Sequence, residues 1–189
     1  MWNSKDLALV ILITVASLIF TASVGQLAWL FSGVPGSNMA FTIGNSIIIS
    51  LGLLLFKGRR WRFLLMQALF ALLVIPTFLL GTPFDVLPRL IILLHGIQGD
   101  IILNSFYGYF EKKGKLLWWS IFCSVEFFII SPFLSILWFS IIFPPAFVTT
   151  FTNTILILLP LSITESVAGG FIAHKIYQRI ERVGWYKEY

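Results

Sequence analysis

Apolar residues along this chain are gathered into long runs that short polar turns separate. A helix needs roughly 20 apolar residues to cross a hydrocarbon core of about 30 Å, and each run is close to that length. The alternation over about ten residues that is typical of membrane β-strands does not occur in the sequence. The pattern therefore predicts an all-α integral membrane protein. Residues 1–189 are expected to form one domain, a bundle of six transmembrane helices with short loops, over residues 7–31, 39–56, 63–80, 86–110, 116–142 and 146–173.

The composition leaves little room for a soluble domain. The chain is 58% hydrophobic and only 11% charged, which is far from the usage of soluble globular proteins. No predicted loop exceeds about ten residues, and the phosphate-binding pattern GxxxxGK[ST] does not occur. If this protein moves a solute uphill, another polypeptide must therefore supply the energy.

Positive charge is distributed unevenly across the predicted bundle. Of the 13 Lys and Arg residues, all except Arg89 fall on one side, in Lys5, the runs 57–62 and 111–115, and a short basic tail over 175–187. The positive-inside rule then places both termini in the cytoplasm, which requires an even number of spans. We expect a multi-pass protein of the cell membrane. The net charge of +5 is explained by insertion and by anionic lipid headgroups, so nucleic acid is not expected as a partner.

Several single features refine this picture. The first apolar run, of about 25 residues, is longer than the apolar part of a signal peptide, which favours a retained helix. The lone cysteine, Cys123, excludes an internal disulfide and a Cys-x-x-Cys site. Pro76, Pro132 and Pro160 each interrupt a predicted helix, where a kink or a freed carbonyl is expected.

Ionisable residues inside membranes are costly and mark functional sites by default. The ionisable residues of the fourth predicted helix share a polar arc that we expect to face inward. Arg89 is either a ligand contact or an interfacial cation that extends to water. His95 is a hydrogen-bonded interior residue, a ligand contact or a metal ligand, but no second histidine is placed to help it, so no metal site is predicted. The candidates are Asp85, Arg89, His95, Asp100, Glu126 and Glu165.

Polar residues also recur in the outer halves of the predicted helices. A few directional polar groups among aromatic walls are typical of a pocket for a flat organic solute. Each residue alone also fits ordinary helix packing, but their common depth favours the pocket. An aromatic heterocycle could stack there while Arg89 meets an anionic group, whereas a cationic ligand would use aromatic faces and Asp85. The candidate substrate-binding residues are Gln26, Trp29, Asn38, Asn45, Arg89, His95, Trp138 and Asn153.

Small residues form stripes on two predicted helices. Ser17, Thr21 and Gly25 repeat every four residues on the first helix, and Ser120, Ser124, Ser131 and Ser135 form one stripe of the fifth. Such stripes let membrane helices approach closely, either within a bundle or against another subunit.

Two stretches of the chain, together with the six short-looped helices, carry a family resemblance. They are PFDVLPRLIILLHGIQGD (83–100) and ESVAGGFIAHKIYQRIERV (165–183). The chain resembles the substrate-binding S subunits of energy-coupling factor (ECF) vitamin transporters: the first stretch is similar to the family's entry to its fourth helix, and the second is similar to its closing segment.

The resemblance implies a function for the whole chain. Such subunits bind a vitamin or related micronutrient in the outer half of the bundle and associate with a membrane coupling subunit and two cytoplasmic ATPases. The family's first helix commonly carries alanines four apart for this docking. Here Ser17, Thr21 and Gly25 would have to replace them. The implied protein is not an enzyme, has no catalytic residues and holds no cofactor or metal.

Other functions are compatible with the same residues. An ion-coupled carrier or small channel would use Asp100, Glu126 and Glu165 as a proton relay. An intramembrane enzyme would pair His95 with Asp100 or Glu126, although HExxH and GxSxG do not occur. A membrane scaffold without a ligand is the remaining hypothesis.

Overall fold

A computed structural model describes residues 4–79 and 82–184, apart from the side chains of Gln26 and Trp29. This part of the chain is helical and contains no β-strand, which confirms the all-α prediction. Six helical segments follow one another: α1 (Ser4–Ser32), α2 (Ser37–Phe56), α3 (Arg62–Val74), α4 (Leu87–Lys112), α5 (Leu116–Ile142) and α6 (Pro145–Arg182). Two contain a π-helical stretch, Thr21–Gly25 in α1 and Gly99–Leu103 in α4.

Five of the six segments are long and apolar enough to cross a membrane, which is compatible with a multi-pass membrane protein. The exception is α3, whose 13 residues span only about 20 Å at 1.5 Å per residue. The exterior of the long helices is apolar. Phe31, Ile141 and Ile157 are 87%, 72% and 76% exposed, where a soluble protein would carry polar groups.

Helix α3 is shorter than the expected range 63–80 because of Pro76. Proline lacks a backbone N–H and disfavours helical conformation in the residue before it. The chain leaves the helix through a turn in which the Thr77 hydroxyl donates to the Val74 carbonyl and accepts from the Leu79 N–H, at 2.8 and 3.1 Å. The end of the expected range, Leu80, lies outside the described residues.

Helix α6 is longer than the expected range 146–173. It runs for 38 residues with Pro160 inside it, and Pro132 lies similarly within α5. Neither proline ends its helix.

The helices alternate in direction. Asp6 of α1 binds Arg59 and Arg62 at the start of α3, and Lys57 in the turn before them pairs with Glu181 near the end of α6, at 3.6 Å. We call this end of the bundle the basic end. The starts of α1, α3 and α5 and the ends of α2, α4 and α6 lie there.

Helices α2, α5 and α6 pack closely through small residues. The Ser120 hydroxyl of α5 donates to the Gly170 carbonyl of α6 at 2.8 Å, and the Ser50 hydroxyl of α2 donates to the Ser120 carbonyl at 3.2 Å. A Cβ added to Gly170 would lie 2.7 Å from the Ile121 Cα, and one added to Gly169 would lie 1.8 Å from the Ser46 hydroxyl oxygen. The glycine pair is therefore what allows α6 to touch both neighbours.

Candidate functional site

A pocket opens between α5 and α6 at the end of the bundle opposite the basic end. Its volume is about 350 Å³, within the range of about 300–1,000 Å³ that small-molecule sites occupy. The end of α5 and the start of α6 build it without help from other helices. Its lining residues are Ser140, Phe143, Pro145, Val148, Thr149, Thr152 and Asn153.

Three polar side chains of this pocket are available to a ligand. Thr149, Thr152 and Asn153 form no side-chain hydrogen bond with residues 4–79 or 82–184. The neighbouring hydroxyls differ, because Thr150 and Thr154 donate to carbonyls one turn back in their own helix. One amide and two hydroxyls can donate and accept hydrogen bonds without carrying charge. The pocket thus suits a neutral polar group.

Four phenylalanines lie beside the pocket, and one of them, Phe143, is a lining residue. The ring centroids of Phe143 and Phe147 are 4.5 Å apart, and those of Phe139 and Phe151 are 5.1 Å apart. Phe139 contacts Phe143 and Phe147 as well, at 5.3 and 6.1 Å. Centroid distances of 4.5–7 Å, stacked or edge-to-face, are those that aromatic pairs prefer. The cluster is an ordered apolar surface on which a planar ring could stack.

The turn between α1 and α2 packs onto this aromatic cluster. Gly36 has a φ of 86°, and a Cβ at this position would lie 3.2 Å from the Phe151 ring. A glycine is needed both for the left-handed conformation and for the close approach. Met39 follows it and is buried with Phe151 and Ile155. The turn therefore covers one side of the cluster.

Arg89, a candidate substrate-binding residue, is buried and engaged by backbone. Its guanidinium donates to the carbonyls of Thr77, Leu79 and Thr82 at 2.8, 2.9 and 2.8 Å, and to the carbonyl of Asp85. These carbonyls belong to the irregular segment between α3 and α4. The side chain satisfies acceptors that a continued helix would have satisfied by itself.

Trp138 and His95 join α4 to α5. The Trp138 indole N–H donates to the Leu87 carbonyl at 2.9 Å. The His95 Nε2 lies 3.2 Å from the Ser131 carbonyl and 3.3 Å from the Ser135 hydroxyl. Because a carbonyl can only accept, this nitrogen carries the proton and donates to Ser131.

A polar network continues from these residues toward the basic end. The Ser131 hydroxyl donates to Gln98 Oε1 at 3.0 Å, and Gln98 Nε2 lies 3.2 Å from each carboxylate oxygen of Glu126. Gln98 is 4% exposed. The network identifies the partner of Glu126, which the sequence leaves open.

Asp100 and Glu165 each cap the start of another helix. Asp100 of α4 accepts the backbone N–H groups of Trp61 and Leu64 at 3.0 and 2.5 Å, at the start of α3. Glu165 of α6 accepts those of Thr42 and Ile43 at 2.6 and 3.1 Å, where the α-helical part of α2 begins. Helix α2 separates the two caps by about 20 Å. The three carboxylates of the hypothetical relay are therefore held in three separate places.

The remaining candidates are spread over the bundle. Asn38 is exposed in the first turn of α2, and Asn45 is half-buried about two turns further along. Ser17, Thr21 and Gly25 are half-buried and continue along α1 from the buried Ile13. The side chains of Gln26 and Trp29 lie outside the described part. Of the six candidate substrate-binding residues whose side chains are described, Asn153 is the one that lines the pocket.

The sequence-based list omits Thr149, Thr152 and Gln98. Helical spacing groups Thr149 with Asn153, four residues later, but not Thr152, which directly precedes Asn153 and lies about 100° around the helix from it. Gln98 lies three residues after His95, which places both side chains on neighbouring turns of one face. Neither spacing shows which polar residue is already bonded to another helix.

The described residues contain no group of three or more His, Cys, Asp or Glu side chains that could hold a metal ion. Hydroxyl, amide and aromatic groups are among those that line the pocket between α5 and α6. No protein-family model, curated protein or solved structure matches this chain.

Proposed function

We propose that this protein is a six-helix membrane protein that captures a small organic solute in the pocket between α5 and α6. The observation that carries the proposal is the presence there, beside an aromatic cluster, of three polar side chains that form no hydrogen bond with the described residues: Thr149, Thr152 and Asn153. The apolar exterior of the helices supports a location in the bilayer. The expected ligand is a planar heterocycle with neutral hydrogen-bonding groups.

The distribution of charge predicts the side of the membrane on which the pocket opens. If the basic end faces the cytoplasm, as the positive-inside rule favours, both termini are cytoplasmic and the pocket opens on the outer side. A solute-capture protein of the cell membrane needs its binding site on that side.

We further propose that the protein is the S subunit of an ATP-driven importer of a vitamin or vitamin precursor. The resemblance of 83–100 and 165–183 to ECF S subunits supports this assignment. The missing phosphate-binding motif also supports it, because energy must then come from a membrane coupling subunit and two cytoplasmic ATPases. Ser17, Thr21 and Gly25 are the proposed contact with the coupling subunit.

The observed contacts favour solute capture over a proton relay. Asp100 and Glu165 are occupied by the starts of α3 and α2. A relay would need them to release these helix ends in order to exchange protons with Glu126.

The first test identifies the ligand. The protein is purified gently and analysed by native mass spectrometry, which should reveal a retained aromatic heterocycle in one-to-one ratio. The identified compound is then titrated by calorimetry without ATP. Absence of both a retained molecule and binding would reject solute capture, and uptake driven by an ion gradient with this chain alone would reject the importer assignment.

Two adjacent threonines provide a matched control for the site. Thr149→Val removes an unbonded hydroxyl of the pocket and should weaken binding of the identified compound by roughly tenfold, about 1.4 kcal/mol. Thr150→Val removes a hydroxyl that is bonded to the Ala146 carbonyl and should change the affinity less than about twofold. Equal effects of the two variants would place the ligand elsewhere.

A further inference from the structure

Glu126 differs from the other buried carboxylates of the helices in how it is satisfied. It lies ten residues after the start of α5 and is half-buried. Its two oxygens share a single donor, Gln98 Nε2, at 3.2 Å each. Within residues 4–79 and 82–184 it forms no ion pair.

The contrast with Asp100 and Glu165 shows what Glu126 lacks. Asp100 accepts two backbone N–H groups and also the Asn104 amide, at 2.6 Å. Glu165 accepts two backbone N–H groups at the start of a helix, where the helix dipole favours negative charge. Among the described residues, Glu126 contacts neither a helix start nor a cation. A half-buried carboxylate with one amide donor and no counter-charge can be satisfied by taking up a proton.

The groups around Glu126 do not provide a counter-charge. His95 on α4 donates to the Ser131 carbonyl, and Cys123 on α5, the helix that carries Glu126, is buried. Asp100 and Glu165 are bound to helix starts, as described above. Arg62, at the start of α3, binds Asp6 at 2.8 Å.

We propose that Glu126 is a reversible proton-binding site whose protonation state is communicated through Gln98 to the contact between α4 and α5. The ligand is a proton and not a solute, because neither Glu126 nor Gln98 lines the pocket between α5 and α6. The site is separate from solute capture and does not depend on it.

The Gln98 amide can adopt either of two orientations in this network. With Glu126 ionised, Nε2 donates to the carboxylate and Oε1 accepts from the Ser131 hydroxyl, as observed. With Glu126 protonated, its hydroxyl can donate to Oε1 of the rotated amide, and Nε2 then donates to the Ser131 oxygen, which changes from donor to acceptor. One proton is gained and every group keeps a partner. Ser131 also accepts from His95 through its carbonyl, so Ser131 contacts two residues of α4.

Infrared spectroscopy in lipid bilayers tests proton binding directly. Between about pH 4 and about pH 9, wild-type protein should show a carbonyl band of a protonated carboxylic acid that titrates. The band should be lost in Glu126→Gln, a substitution of similar shape. In Gln98→Leu it should remain but shift in frequency, because the acid loses its hydrogen-bond partner. A full set of titrating bands in Glu126→Gln would overturn the proposal.

Hydrogen exchange tests communication to the α4–α5 contact. The exchange rates of the backbone amides in α4 and α5 are compared between wild type and Glu126→Gln at each pH. This comparison removes the intrinsic pH dependence of amide exchange, which is the same in both proteins. The two should coincide at low pH, where wild type is protonated, and diverge at high pH. A difference that is the same at every pH would show that the proton does not affect the contact. If Glu126→Gln does not fold, the wild-type titration and the Gln98→Leu frequency shift still decide the question.

Discussion

The carboxylate of Glu165 on α6 holds the backbone N–H of Thr42 at 2.6 Å, where the α-helical part of α2 begins. The contact joins residues that are 123 positions apart, and the Ser162 and Thr42 hydroxyls reinforce it at 3.0 Å. A side chain from one helix thus does for another what a local capping residue does in most helices.

Removing the charge of this cap should destabilise the protein. Glu165→Gln retains an acceptor oxygen but loses the favourable interaction of a carboxylate with the helix start. We expect a loss of roughly 1–2 kcal/mol in the free energy of unfolding, measured by denaturant titration in detergent. Thr164→Val is the control, because Thr164 is exposed and bonds only within its own helix. Equal stability of Glu165→Gln and wild type would show that the cap is dispensable.

The packing of α5 on α6 should be sensitive to a single methyl group. Gly170→Ala would place a Cβ 2.7 Å from the Ile121 Cα, and backbone cannot move aside as a side chain can. We expect a destabilisation of roughly 1–3 kcal/mol, seen as a lower thermal midpoint.

An exposed glycine provides the matched control for this substitution. Gly108 is helical and nothing lies within 4 Å of an added Cβ. Gly108→Ala should therefore leave stability unchanged or raise it by up to about 1 kcal/mol, because alanine favours helix. Destabilisation of both variants alike would contradict a packing origin.

Lysine should not replace arginine at position 89. A lysine ammonium has three donors and no planar fork, whereas Arg89 serves four carbonyls of the segment between α3 and α4. Arg89→Lys should lower the free energy of unfolding by roughly 2 kcal/mol or more. It should also accelerate hydrogen exchange in residues 82–87. The exposed Arg60→Lys should have neither effect, and unchanged exchange in Arg89→Lys would exclude the proposed role of the guanidinium.

Asp6 and Arg62 should be energetically coupled. Asp6 is 2% exposed and binds Arg59 and Arg62 at 2.8 Å each. Removing one partner of a buried pair leaves the other uncompensated, so Asp6→Asn should cost roughly 3 kcal/mol. In a double-mutant cycle with Arg62→Gln, the combined loss should be smaller than the sum of the single losses. Additive losses would show that the pair is not coupled.

Hydropathy and proline positions predicted much of the fold. The runs of apolar residues located all six helices, because burial of an apolar helix is encoded locally by its own residues. Pro76 predicted an interruption, and α3 does end two residues before it. The sequence could not show that Pro160 is accommodated within α6, since that depends on how neighbouring groups satisfy the helix.

The contacts of the polar residues could not be predicted in the same way. From the sequence, Asp100 and Glu165 are expected to be buried charges that need partners. The partners of Asp100 are backbone N–H groups 36–39 residues away in sequence, and those of Glu165 are backbone N–H groups 122–123 residues away. Arg89 read as a ligand contact or interfacial cation, and its observed contacts are carbonyls of one neighbouring segment. Such pairings follow from helix directions and depths, which a hydropathy pattern specifies only approximately.

In a bilayer, the unequal lengths of α3 and α6 would make the surrounding lipid non-uniform. A 13-residue and a 38-residue helix cannot both match one hydrocarbon thickness, so in a membrane the lipids must thin beside α3 while α6 tilts or extends beyond them. The cost of this hydrophobic mismatch depends on acyl-chain length. Lipid composition would then influence the orientation of the protein in the bilayer, and bilayers of thinner hydrocarbon should accommodate the α3 side best.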